Sequence, residues 1–121
     1  MWEYRATVQR WLDGDTLDVE IDLGFYVLTN QRLRLVGSGL GIDTPEKNAA
    51  DPAVRERAAR ATARCWQLAP ATTPVILRTQ KPAVPKDGFG RFLAEVVIQD
   101  GRSLGDVLLE EGLAVPYQRA R

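Results

Sequence analysis

Asp15, which closes the run Asp13-Gly14-Asp15, and Asp43 with Glu46, in the run Ile42-Asp43-Thr44-Pro45-Glu46, are carboxylates set in turn sequences rather than on a repeating polar face. Two loops could bring them together. Converging carboxylates suit Ca2+, a hard cation that takes roughly six to eight oxygen ligands and accepts backbone carbonyls and water. Each run taken singly is also ordinary turn chemistry. Arg34, late in an alternating segment, and Arg91, directly after Phe89-Gly90, are the cations to set beside these acids. A guanidinium grips two phosphate oxygens at once, although either arginine in isolation also reads as a solvated strand residue. Histidine is absent, which removes Ser/His/Asp and Cys/His nucleophilic sites and most catalytic zinc sites. The chemistry left is that of carboxylates, arginines and hard metals.

The elements that must position these groups follow from periodicity. Trp2, Tyr4, Ala6 and Val8 alternate with Glu3, Arg5, Thr7 and Gln9, the period of a half-buried strand. After the Asp13-Gly14-Asp15 turn, Leu17, Val19 and Ile21 alternate with Asp18, Glu20 and Asp22 as a second strand. The stretch from Phe25 to Val36 predicts a third, with Arg32 and Arg34 on one face and Leu33 and Leu35 on the other. From Gly37 to Asp51 no period survives, which predicts a long irregular connection. Asp51 as N-cap and Pro52 at the first helical position open a helix to about Leu68, with Val54, Ala58, Ala61, Cys65 and Leu68 on one face. Pro74–Thr79 and Arg91–Ile98 read as strands four and five, separated by a loop from Lys81 to Gly90. Ser103 and Asp106 suggest a capping box for a short helix that Gly112 ends.

The order β-β-β-α-β-β-α predicts an α+β fold, a five-stranded OB-fold barrel with flanking helices, against which a small α+β sandwich competes. At 121 residues the chain is about one domain long, and folding buries roughly two thirds of the unfolded surface. The single Cys65 permits no intrachain disulfide. No apolar run approaches the ~20 residues that span a bilayer, and Met1-Trp2-Glu3-Tyr4-Arg5 opens no secretory signal. The expectation is a cytoplasmic monomer with no membrane partner. The formal net charge is zero but unevenly spread: residues 1–46 carry 4 basic and 8 acidic side chains, and residues 47–70 carry 5 and 2. Neutrality argues against a high-affinity nucleic-acid coat, which needs clustered Lys and Arg, but not against an enzyme that binds phosphate at a metal.

DGDT, RLVG, IDTPE and FGR, in this order at the strand ends of an OB-like pattern, resemble the staphylococcal nuclease (thermonuclease) family. The resemblance runs from about Val8 to Tyr117 and takes in VQRWLDGDTL, the helix near AVRERAARATARCW, KDGFGRFLAEV and SLGDVLLEEGLAVPY. It implies one nuclease-like domain over residues 1–121, and a Ca2+-dependent phosphodiesterase that cuts DNA or RNA and leaves 3'-phosphates. Asp15 and Asp43 match the family's calcium carboxylates, and Thr44 the residue that lends its carbonyl. Glu46 matches the acid that positions or deprotonates the attacking water. Arg34 and Arg91 match the arginines that hold the scissile phosphate. Phe89 stands where the family commonly has a nucleotide-stacking tyrosine, and Tyr117 matches a second nucleotide-facing tyrosine.

The largest departure is Gly37-Ser38-Gly39-Leu40-Gly41, about four residues longer than the family's usual RLxGID. The expectation is a flexible insertion that protrudes and weakens catalysis by loosening the spacing of Arg34 and Asp43. A second reading is a non-catalytic nuclease-like module that binds nucleic acid or a protein partner through the same barrel face.

Overall fold

The computed structural model describes residues 2–38, 40–79 and 91–116. Its described elements are β1 (Trp2–Asp13), β2 (Thr16–Asp22), β3 (Leu28–Gly37), β4 (Leu40–Asp43), α1 (Pro52–Leu68), β5 (Pro74–Thr79), β6 (Phe92–Val97), α2 (Leu104–Glu110) and β7 (Val115–Pro116). β1 pairs antiparallel with β2 and β5, β2 with β3, and β5 with β6, while β3 and β6 run parallel. Those five pairings close a ring, the five-stranded mixed barrel of an α+β OB-fold.

The inward positions of the alternating strands fill the barrel. Val8, Leu17, Val19, Leu35, Leu77 and Val96 are all buried, each contributing on the order of 2 kcal/mol through apolar area removed from water. α1 begins as its sequence predicts: the Asp51 carboxylate accepts from the Ala53 amide at 2.9 Å, with Pro52 in the first turn. It buries Ala58, Ala61 and Cys65, and Trp11 ties its end to β1 through an Nε1–H bond to the Ala69 carbonyl at 3.0 Å. α2 buries Leu104, Val107 and Leu108 and lies against the end of β3. A Cβ at Gly105 would come within 2.6 Å of the Val36 carbonyl oxygen, so only glycine admits that approach.

Four details differ from the sequence-based expectations. β1 runs to Asp13, because register shifts between Val8 and Arg10 and between Trp11 and Asp13 bend it and break its two-residue period. β3 starts at Leu28 rather than Phe25. Phe25 and Tyr26 are fully exposed with φ of 55° and 63°, and the Val27 amide closes a turn onto the Gly24 carbonyl at 2.9 Å. The described part of the stretch after Gly37 forms a strand rather than a free loop, since β4 pairs with β3 (Val36 opposite Gly41, Gly37 opposite Leu40) and with β7, while Gly39 lies outside the described residues. The Ser38 amide donates to Asp106 at 2.7 Å and anchors that corner on α2. The capping box is also not made. Ser103 occupies the N-cap with no side-chain bond to the helix, and Asp106 faces β3 instead.

Candidate active site

The Asp13-Gly14-Asp15 turn joins β1 to β2 and sits on α1. An added Cβ at Gly14 would meet Ala61 Cβ at 2.9 Å, and the Cys65 thiol lies 3.5 Å from the Gly14 carbonyl. The Asp13 carboxylate folds back to accept the Asp15 amide at 3.0 Å, and the Asp15 carbonyl accepts the Leu35 amide at 2.8 Å. Asp15 is thereby fixed to β3 one residue beyond Arg34. Register does the rest, because Thr16 stands opposite Arg34 in the β2–β3 ladder.

Arg34 joins the two loops. Its Nη2 donates to the Ile42 carbonyl at 3.1 Å and to Asp43 Oδ1 at 3.2 Å, and lies 3.7 Å from Asp15 Oδ2. The four extra residues between Arg34 and Asp43 therefore do not separate them; the β3–β4 pairing returns the chain to the site. Asp15 is 7% exposed, and its oxygens accept from Thr16 Oγ1 at 3.2 Å and from the Thr44 amide at 3.4 Å. Arg91 reaches the same cluster through Thr16, donating from Nη1 to Oγ1 at 2.9 Å. Asp15, Arg34, Asp43, Glu46 and Arg91 line one open pocket of about 450 Å3, with Asp13 and Lys47 at its edge. Glu46 is exposed there on the segment after β4. Phe89 and Tyr117 lie outside the described residues.

Burial pushes the Asp15 carboxyl up to about 6, helped by its hydrogen bond with Asp13 and by the negative charge of Asp13; Arg34 and the Thr44 amide pull the other way. Asp13 moves oppositely. Burial raises it too, but hydrogen bonds from Asp15 and Thr16 and the charge of Lys47 outweigh that and hold it below its usual value. Cys65, underneath, is a buried thiol raised by desolvation and by the Asp15 and Asp13 charges, and so is not a nucleophile.

Among the described residues no three His, Cys, Asp or Glu side chains cluster closely enough to hold a metal ion. The carboxylates of Asp15 and Asp43 in this pocket are of the hard oxygen type that suits a hard cation, with no soft ligand beside them, while Thr44 lines the neighbouring pocket and its amide donates to Asp15.

Asp13 as partner of Asp15, Thr16 as the link to Arg91, and Lys47, which donates to the Leu12 carbonyl at 3.1 Å, were not singled out by sequence reasoning. Their signal was adjacency to Asp15 in DGDT and to Glu46 in IDTPEK.

The structure is a closed OB barrel whose strand ends gather Asp15, Arg34, Asp43, Glu46 and Arg91 around one open pocket. Residues 32–121 match the family model described as staphylococcal nuclease homologue, and the chain belongs to that nuclease-like family. No curated protein matches the chain. The matched segment begins at Arg32, so Asp15 lies outside it and stands at the site through its position 3.7 Å from Arg34 Nη2.

Proposed function

We propose that the protein is a Ca2+-dependent nuclease that hydrolyses phosphodiester bonds of DNA or RNA to leave 3'-phosphates. The observation that carries this reading is the placement of Arg34 between Asp15 and Asp43, in a pocket that Glu46 and Arg91 complete. Asp15, Asp43 and the Thr44 carbonyl would hold the ion. When bound, it would supply positive charge against the phosphate oxygens.

The remaining work falls to the chain itself. Arg34 and Arg91 present planar forks that match two phosphoryl oxygens each and are fixed before substrate arrives, Arg34 by the Ile42 carbonyl and Arg91 by Thr16. Glu46, solvent-exposed at the rim, takes a proton from the water that attacks phosphorus. The P–O5' bond breaks in line with that attack, the 5'-oxygen leaves with a proton from solvent, and the phosphate stays on the 3' side. Positioning and fixed charge are what phosphoryl transfer asks of a protein, and no histidine is needed.

The test is an assay of single-stranded DNA and RNA cleavage with Ca2+ and with EDTA. Cleavage in Ca2+ that EDTA abolishes supports the reading. Binding of either strand without cleavage under both conditions would instead make the chain a non-catalytic module.

A further inference from the structure

A second open pocket, of about 510 Å3, adjoins the candidate active site and shares Asp43 and Glu46 with it as a common wall. Its other walls are residues 111–115, whose one acid, Glu111, is already paired with Arg64, and α1, which presents Val54, Arg57 and Arg60. The two arginines are three residues apart on an exposed helix face, about 5–6 Å between Cβ atoms. Their neighbours on α1 are engaged: Arg55 donates to the carbonyls of Ala49 and Ala50, and Arg64 grips Glu111 with two bonds of 2.8 Å. Arg57 and Arg60 have no hydrogen-bond or ion-pair partner among the described residues.

We propose that Arg57 and Arg60 form a second phosphate subsite, which takes the backbone of a single-stranded nucleic acid beyond the linkage that Arg34 and Arg91 hold. The proposal rests on the nuclease reading and extends it to the path of the substrate. Charge favours this path over the alternative across β1–β3. There Asp18 already occupies both Arg10 and Arg32, and Glu20 and Asp22 add negative charge, whereas the segment holding α1 is the basic part of the chain. Shape selects a single strand. A chain passing from one pocket to the other must turn around the Asp43–Glu46 wall, which a flexible strand does readily and a duplex, with a persistence length near 50 nm, resists.

The test is equilibrium binding of a fluorescein-labelled single strand of about 12 nucleotides, followed by anisotropy in EDTA from low to moderate salt. Wild type, Arg57→Ala/Arg60→Ala and Arg102→Ala are compared; Arg102 pairs with Asp100 in the turn after β6 and shows the effect of losing one surface arginine outside the pocket, half the charge the double variant loses. Both α1 positions are exposed and alanine suits a helix, so circular dichroism should show an intact fold. The double variant should bind about tenfold more weakly at low salt, and its plot of log K against log salt should be shallower by about 1.4, the slope for two phosphate contacts on a single strand. Arg57→Glu/Arg60→Glu should weaken binding further. Equal affinity and slope in wild type and the double variant, or an equal loss in Arg102→Ala, would overturn the proposal. Cleavage by the same proteins in Ca2+ separates the two readings: cleavage with an unchanged slope sinks the subsite alone, a shallower slope without cleavage sinks catalysis alone, and a wild type that neither binds nor cuts sinks both.

Discussion

Gly14→Ala tests whether packing beneath the site sets its geometry. An alanine Cβ there would stand 2.9 Å from Ala61 Cβ and 3.0 and 3.1 Å from Thr44 Cγ2 and Cβ. Carbon atoms rest at about 3.5–4.0 Å, so the Asp13–Asp15 turn must retreat by roughly 0.5–1 Å. Neither neighbour yields easily, since Ala61 is fully buried on α1 and Thr44 is buried next to Asp43. The turn carries Asp15 away from Arg34 and Asp43 as it moves. A misplacement of about 1 Å costs roughly a hundredfold in rate, and overpacking costs about 1–3 kcal/mol in stability. Initial rates of single-strand cleavage in saturating Ca2+ should therefore fall 10–100-fold, by the same argument. Thermal unfolding should shift down by about 3–10 °C. Adding Ala61→Gly removes the closest contact and should recover part of the rate, although glycine in a helix costs about 1 kcal/mol. A Gly14→Ala protein with wild-type rate and melting temperature would refute the reasoning.

Arg91→Lys keeps the charge but loses the fork, so kcat should fall far more than KM rises; a change in KM alone would assign Arg91 to ground-state binding. In EDTA, Asp15→Asn should be the more stable protein at pH 8. A carboxyl raised to about 6 from 3.8 contributes stability below its unfolded value that is lost as pH rises through 6. The gain is at most about 3 kcal/mol, and the opposite shift of Asp13 reduces it. Melting curves at pH 4 and pH 8 that differ from wild type by the same amount would contradict this. Phe25→Asn/Tyr26→Gly should raise the melting temperature by about 3–6 °C, because both exposed aromatics hold positive φ that Asn-Gly adopts at lower cost. An unchanged or lower value would show that the aromatic pair packs on something in solution.

What was legible in the sequence was local. β5 (Pro74–Thr79) was read to the residue, and α1 was read from its Asp51-Pro52 start, because a strand period and a helix cap are written in neighbouring residues. β4 and β7 were not. Their four and two residues carry no period of their own and exist only through pairing with β3 and with each other. The site divides in the same way. Asp15, Arg34, Asp43, Glu46 and Arg91 were named from short motifs and do line one pocket. The contacts that hold them, Arg34 on the Ile42 carbonyl and Arg91 on Thr16, depend on β2–β3 register and β3–β4 pairing that no single segment encodes.

The Ca2+ dependence of cleavage by wild type and Asp43→Ala, measured side by side, tests the proposed centre most directly. Asp43 is half exposed and shares Arg34 with Asp15, so its removal takes a carboxylate from the site without opening a core cavity. Single-turnover cleavage of a 5'-labelled strand, titrated with Ca2+, should saturate for wild type. The Asp43→Ala rate should lie at least a hundredfold lower at the same concentrations, because a site with few protein ligands loses one of two carboxylates. Equal rates for the two proteins, or undiminished wild-type cleavage in EDTA, would contradict the assignment of this cluster as the centre of the reaction.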